Sequence, residues 1–276
     1  MIRLLLIGWP VGHSRSPAMH RAALSAHHLD GTYELFPAPP ADLAEAVEVL
    51  REDPDVAGFN VTVPHKQSMI DLVDHVEPLA KQIGAVNTVI RQGSLLVGAN
   101  TDADGFLRAL QEAGGDPTGP ALVIGAGGAA RAVVAGLVRA GASRVDVAAR
   151  RIGAAKVLVD SLVDGDGRAL DIANLAVAFG GAKTIVQATS ATMDPEVAES
   201  FADALPWDAL QPGTACMDLV YEPLETTFLA RAREAGGNPI DGLGMLLHQG
   251  ALAFERWTNR RAPLEVMREA LFSGGI

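Results

Sequence analysis

Cysteine is nearly missing: Cys216 is the single one in 276 residues, so no disulfide can close within the chain. That usage fits a reducing compartment, and a cytoplasmic location is expected. Cys216 itself reads as a small buried apolar residue rather than a nucleophile. Metal chemistry lacks its ligands as well. Seven histidines without an HExxH or paired spacing, beside one thiol, offer no zinc set, and no metal is expected. His27 and His28 read as surface residues. Positive charge is short: 22 Lys and Arg face 33 Asp and Glu, a net charge of −11. No basic stripe is left for a phosphate backbone, so a nucleic-acid partner is not expected. No segment approaches the ~20 apolar residues of a membrane span. The run "LLLIG" at 4–8 is also too short for a signal-peptide core, so no membrane partner is expected. Internal repeats and low-complexity tracts are missing too.

What is present is ordinary globular composition, 49% hydrophobic and 20% charged, enough for one large or two moderate domains. "IRLLLIG" (2–8) reads as a strand buried on both faces. "SPAMHRAALSAHHL" (16–29) reads as a helix with Ser16 at the N-cap and Pro17 at N1. "GTYELFPA" is a strand, "PADLAEAVEVLRED" (40–53) a helix, and "VAGFNVTVP" a third strand. Residues 85–102 form a hairpin turning at Gln92–Gly93, followed by a helix over 102–115. After the turn-rich break "GGDPTGP" (114–120) the pattern becomes regular β-α-β, with strands at 184–189 and 214–221 and a helix at 225–237. Such alternation argues a parallel, doubly wound sheet. Two closing helices, "GMLLHQGALAFERWTN" and "PLEVMREALF", have no strands after them and are expected to pack back on the first half. Phe254 and Trp257 in them read as packing residues.

"GAGGAA" (125–130) follows a buried strand and opens a helix, where a dinucleotide fingerprint belongs. Gly125 permits the tight turn, Gly127 lets backbone amides approach a pyrophosphate, and Ala130 allows close helix–strand packing. The positive end of the helix faces the phosphates. An NAD-preferring site places a carboxylate at the tip of the next strand, but "VAARRIG" (147–153) has Ala149 there, then Arg150 and Arg151. Asp146 lies too early, within the strand. Either the two guanidiniums receive a 2′-phosphate, which favours NADP with NAD as the alternative, or they solvate a loop.

The first half holds four polar clusters at expected strand ends: "GHSRSP" (12–17), "NVTVPHK" (60–66), "GAVNT" (84–88) and "NTDADG" (100–105). Ligands of open α/β sheets bind outside the carboxyl ends of the strands. Ser14 and Ser16 offer two hydroxyls and helix N-terminal amides, a good carboxylate receiver. Asn60, Thr62 and Asn87 can donate and accept, which suits a polyhydroxy substrate. Read alone, Lys66 is either a solvated charge at a strand end or a group held for chemistry. Lys66 and Asp102 form the one evident charged pair among these clusters.

These four stretches, the "GAGGAAR" turn and "DGLGMLLHQGA" (241–251) resemble the shikimate dehydrogenase family, in the same order and over nearly the full chain. The resemblance implies an NADP-dependent oxidoreductase that interconverts 3-dehydroshikimate and shikimate, a step of aromatic amino acid biosynthesis. It implies an α/β fold of two domains, an N-terminal open α/β substrate domain (1–101 plus 241–276) and a Rossmann-type doubly wound NADP-binding domain (102–240), with the C-terminal helices on the first. Lys66 would be the catalytic acid/base and Asp102 its partner. Ser14 and Ser16 would hold the carboxylate of a cyclic polyhydroxy acid. Thr62, Asn87, Asp102 and Gln249 would hold its hydroxyls, with Tyr221 lining the site. Cofactor-binding residues would be Gly125, Ala126, Gly127, Gly128, Ala129, Arg150, Arg151, Thr189, Leu219, Gly242 and Met245, the last near the nicotinamide. Assembly as a monomer or a homodimer is expected.

Three departures from the family pattern stand out. Asn-Arg-Thr at the cofactor tip is here Ala149-Arg150-Arg151. Asn-Ala-Thr-Ser appears as Gln187-Ala188-Thr189-Ser190, and the usual following Gly is Thr192. Ser16 stands where relatives that also oxidise quinate often carry Thr. Quinate or aminoshikimate dehydrogenase is therefore the nearest alternative, and a non-catalytic nucleotide-binding regulator is the alternative of another class.

Overall fold

The structure is a computed structural model and describes residues 1–273. Along the chain come β1 (Ile2–Gly8), α1 (Ser16–Ala26), β2 (Gly31–Pro37), α2 (Leu43–Glu52), β3 (Val56–Val61), β4 (His75–Val76), α3 (Pro78–Ile83), β5 (Thr88–Gln92), β6 (Leu95–Ala99) and α4 (Asp102–Glu112). There follow β7 (Pro120–Ile124), α5 (Gly128–Arg139), β8 (Arg144–Ala149), α6 (Ile152–Leu162), β9 (Ala169–Asp171), α7 (Ala176–Gly181), β10 (Thr184–Gln187) and α8 (Pro195–Asp203). The chain closes with β11 (Ala215–Asp218), α9 (Thr227–Glu234), β12 (Asn238–Ile240), α10 (Leu243–Thr258) and α11 (Leu264–Ser273).

Two compact units result: Met1–Gly105 with the chain from Leu246 onward, and Phe106–Met245. The divisions fall inside α4 and α10, a few residues beyond the expected ones.

β1 reads as one apolar run because both its faces are covered: Leu4, Leu5 and Ile7 are fully buried. The sheet of the first unit has the order β2-β1-β3-β5-β6-β4. β1 runs parallel to β2 and β3, the β5–β6 hairpin adds two antiparallel strands, and β4 pairs parallel to β6. The hairpin turns at Gly93, whose φ of +65° favours glycine. Its register sets Asn60 beside Thr88, and Thr88 beside Ala99. One core packs α2 against β1 and β3 through Val47, Leu50 and Phe59. A second joins Leu4, Met19 and Tyr33 to Leu247, Phe254, Met267 and Leu271, so α10 and α11 close the first unit as expected.

In the second unit every strand pair is parallel, in the order β12-β11-β10-β7-β8-β9. The chain winds outward from β7 to β9, then returns to the other side of β7 from β10 to β12. This is the doubly wound arrangement, with its reversal between β7 and β10.

Several boundaries differ from the expected ones. The N-cap of α1 is Arg15, not Ser16; the Ser14 hydroxyl accepts the Ser16 N–H at 3.2 Å instead. β3 ends at Val61, because the following backbone turns: His65 N donates to Thr62 O at 2.9 Å. α1 ends at Ala26, short of the expected 29, where the His27 and His28 amides close the last turn on Ala23 and Ser25 carbonyls.

Candidate active site

Lys66 follows β3 in a short turn pinned from both sides. The His65 ring bonds the Ala38 carbonyl at 2.7 Å, and Val86 N donates to the Lys66 carbonyl at 2.7 Å. Asp102 opens α4. Its own amide and that of Ala103 donate to Asn100 Oδ1 at 3.0 and 3.4 Å, a side-chain cap that fixes where the helix starts. A carboxylate at that position is favoured by the helix dipole.

The two meet. Lys66 Nζ lies 2.6 Å from Asp102 Oδ2, with side chains 16% and 4% exposed. A charge-assisted bond this short and this buried is strong, and removing either partner strands the other. Asn87 Nδ2 lies 2.8 Å from Asp102 Oδ1, 2.9 Å from Thr101 Oγ1 and 3.3 Å from Gln249 Oε1. Asp102 is thus anchored by a different donor on each oxygen. Lys66 keeps two N–H donors with no partner among the described residues. The arrangement presents an amine to an incoming hydroxyl and backs it with a carboxylate.

The expected catalytic Lys66 and three expected substrate residues, Asn87, Asp102 and Gln249, therefore form one network. Ser14 and Ser16 lie at the start of α1, outside it. Thr62 follows β3 against Gly8 and the β1–α1 connection, where its amide donates to Ile7 O at 2.9 Å. Tyr221 lies half-buried just after β11, in the other unit. Asn60 lies behind this network. It is buried, and its amide is consumed by Tyr33, Thr88 and the Asn87 carbonyl. Thr88, Thr101 and Asn100 hold the network together, yet nothing singled them out in sequence beyond their place in the quoted clusters.

The second unit carries the glycine turn at its strand-order reversal. Gly125 has φ +126°, and a Cβ there would stand 2.9 Å from the Ala188 carbonyl oxygen after β10. No other residue fits. At Gly127 a Cβ would meet nothing within 4 Å, so packing within the chain does not demand glycine there. The turn Gly125–Ala129 runs into α5, whose N-cap Gly127 supplies no side-chain cap, leaving first-turn amides outward. β8 ends at Ala149, and the exposed Arg150 and Arg151 engage no carboxylate among the described residues. Asp146 is spent inside the unit, 2.7 Å from Arg168 Nη2 and 3.3 Å from Arg144 Nε. The residues at this tip fit an anionic 2′-substituent and offer no side-chain acceptor to a bare ribose.

Thr189 follows β10. Its amide donates to Gln187 Oε1 at 2.6 Å, while Gln187 Nε2 reaches Thr192 Oγ1 at 3.0 Å. Gln187 and Thr192, which both depart from the family pattern in this loop, thus bond to each other. Both adjoin Asp218 at the end of β11, whose pKa burial pushes up to about 6 against hydrogen bonds from Val220, Thr226, Thr192 and Gln187. The Gly242 backbone lies against the Leu219 carbonyl, and Met245 is buried in α10. Cys216 is buried, its thiol pushed up to about 12 by desolvation, which leaves it inert. Among the described residues no helix is long and apolar enough to cross a membrane.

Three family models match in chain order: the shikimate dehydrogenase substrate binding domain over 6–89, shikimate/quinate 5-dehydrogenase over 109–207, and the shikimate 5′-dehydrogenase C-terminal domain over 242–272. A shikimate dehydrogenase (NADP(+)) of Moorella thermoacetica is 45% identical, covering 96% of this chain and 91% of the relative. One of Haloarcula marismortui is also 45% identical, covering 96% and 97%. Shikimate 5-dehydrogenase of Thermus thermophilus, solved with NADP(H) and shikimate, superposes with a TM-score of 0.87 at 38% identity over 99% of each chain. Quinate dehydrogenase of Corynebacterium glutamicum, solved with NAD, gives 0.87 at 30% identity, again over 99% of each. With ordered matches along the chain and such identity over nearly its full length, the protein belongs to the shikimate dehydrogenase family.

Proposed function

We propose that this protein is an NADP-dependent oxidoreductase that interconverts 3-dehydroshikimate and shikimate, with Lys66 as the acid/base. The observation that carries this reading is the 2.6 Å contact between Lys66 Nζ and Asp102 Oδ2, with two N–H donors of the ammonium left over. Ser14 and Ser16 receive the substrate carboxylate, and Thr62, Asn87 and Gln249 take ring hydroxyls. The Gly125–Ala129 turn holds the pyrophosphate of NADP, Arg150 and Arg151 its 2′-phosphate, and Thr189, Leu219, Gly242 and Met245 its nicotinamide half.

When bound, the nicotinamide supplies hydride acceptance and donation. A carbinol carbon gives up hydride only as its hydroxyl proton leaves, so a positioned base accelerates the step by ~10²–10⁴-fold. Lys66 Nζ, as the amine, takes that proton. In reduction it returns the proton as ammonium and stabilises the developing alkoxide. Asp102 aims Nζ and is itself held by Asn87.

Initial rates with shikimate, quinate and aminoshikimate, each against NADP and NAD, test the assignment, together with Lys66→Ala. Highest kcat/KM is expected for shikimate with NADP. Lys66→Ala is expected to lower kcat by roughly 10³-fold while substrate KM moves little. Preference for quinate or aminoshikimate corrects the substrate. Failure to reduce either coenzyme with any of the three alcohols overturns the enzymatic reading, and near-wild-type kcat in Lys66→Ala overturns the role of that residue.

A further inference from the structure

Behind the Lys66–Asp102 pair runs a buried file of hydrogen bonds that ends on a residue of β2. Asp102 Oδ1 accepts from Asn87 Nδ2 at 2.8 Å, and Asn87 Oδ1 accepts from Thr88 Oγ1 at 3.0 Å. Thr88 Oγ1 accepts from Asn60 Nδ2 at 3.1 Å, and Asn60 Oδ1 accepts from the Tyr33 hydroxyl at 2.8 Å. Tyr33, Asn60, Thr88, Asn87 and Asp102 are all buried. Every donor in the file points the same way, from the phenol towards the carboxylate.

The file decides how an amide is turned. Asn87 must show its NH₂ to Asp102; with the amide reversed, its oxygen would face a carboxylate. Three donors to Asn87 Oδ1 hold the working orientation: the Thr101 amide at 2.7 Å, the Thr88 hydroxyl at 3.0 Å and, at the longest distance, the Thr101 hydroxyl at 3.3 Å. Thr88 has one proton, and Thr101 Oγ1 at 3.2 Å competes for it. Asn60 Nδ2 occupies a lone pair of the Thr88 oxygen and so favours donation towards Asn87. Asn60 is oriented in turn by the Tyr33 phenol on one side and the Asn87 carbonyl, 3.2 Å from Nδ2, on the other. The Tyr33 ring is fixed by stacking: His20 of α1 lies parallel at 4.3 Å, 7° between planes, and Trp257 of α10 tilts against both.

We propose that Tyr33 and Thr88 are positioning residues for the Lys66–Asp102 pair, acting through Asn60 and the Asn87 amide. The proposal rests on the role given to Lys66 above. Because the links are in series, breaking either one loosens the same carboxylate.

Tyr33→Phe, Thr88→Val, their double variant and Thr88→Ser test this. Thr88→Val is expected to lower kcat about five- to ten-fold and Tyr33→Phe about three-fold, as loss of one buried hydrogen bond implies. Alcohol KM is expected to change less than two-fold, and the pH profile of kcat to move in both variants. The double variant is expected to be no slower than Thr88→Val, since serial links are not additive, and Thr88→Ser to restore kcat. A readout without turnover accompanies these: the rate at which an N-hydroxysuccinimide ester acylates Lys66, followed by mass spectrometry. Faster acylation in Tyr33→Phe and Thr88→Val than in wild type is expected, with Thr88→Ser at the wild-type rate. Should Thr88→Val not fold, Tyr33→Phe against wild type carries both measurements. Unchanged acylation, or wild-type kcat with an unmoved pH profile, overturns the relay even where Lys66→Ala is inactive. Multiplicative losses in the double variant overturn the serial route. If Lys66→Ala stays active, the acid/base reading has failed, and the acylation rates alone decide the relay.

Discussion

Gly105 occupies a place a methyl group would take from Gln249: a Cβ there would stand 2.7 Å from the Gln249 amide nitrogen and its Cβ. Backbone cannot yield as a flexible side-chain end does, so α10 comes close to α4 here only over glycine. That approach carries Gln249 Oε1 to within 3.3 Å of Asn87 Nδ2. Gly105→Ala is expected to raise alcohol KM at least five-fold and to cost about 2 kcal/mol of stability through overpacking. Steady-state kinetics and thermal unfolding of the variant check both. At this scale sequence was a good guide to which polar residues gather, because Lys66, Asn87 and Asp102 sit in short clusters at strand ends. It was a poor guide to what each one touches. Asn60 has the side chain of a ligand contact, yet the register of β3 against β5 turns it inward to Thr88. Tyr33 looked like any apolar strand residue, since a phenol's partner lies 27 positions away.

In the proposed function, coenzyme choice falls to the end of β8 and its run into α6. α6 has Arg151 at its N-cap with no side-chain cap, so the chain spends that position on a guanidinium rather than on Ser, Thr or Asp. Arg150→Ala and Arg151→Ala are each expected to raise KM for NADP about ten-fold, as loss of a charged hydrogen bond implies, with KM for NAD nearly unchanged. Parallel kinetics with the two coenzymes check this, and equal losses for both would remove the 2′-phosphate from the explanation. Long, punctuated elements such as α5 and the β5–β6 hairpin were legible because glycine marks their ends. α6 was not, for its apolar residues do not keep to one face: Ile152 and Val157 are exposed. β9 and β12 have three residues each, too few to show a period, and β12 contains a proline. β10 was expected to reach 189 and stops at Gln187, because that side chain takes the Thr189 amide and turns the backbone.

For the molecule as a whole, two buried groups set opposing responses to acid. His20 is fully buried, both ring nitrogens lack a partner among the described residues, and desolvation lowers its pKa to about 3. Between about 6.5 and 3 the unfolded chain binds a proton that the folded one refuses, so stability falls as pH drops through that window. The full loss is roughly 5 kcal/mol. Asp218, raised from 3.8 to about 6 mainly by desolvation, works the other way. The folded state keeps its proton longer, and stability declines as pH rises from 3.8 to about 6, by roughly 3 kcal/mol. From about 6 down to 3.8 the two nearly cancel, because each changes stability by the same amount per pH unit there, and the His20 loss stands alone only above about 6 and below 3.8. His20→Phe, which keeps a flat ring against Tyr33, is expected to leave stability that rises as pH falls from about 6 to 3.8, and Asp218→Asn to leave stability that falls over the same range. Urea midpoints measured from pH 4 to 7 check both.

The first unit shares one apolar core between Leu4 and Met19 at one end of the chain and Phe254 and Met267 near the other. A ribosome makes these partners more than two hundred residues apart, with the whole parallel sheet of the second unit in between. The nascent N-terminal strands must therefore wait, apolar and unroofed, while the later-made insert has every strand it needs to fold ahead of them.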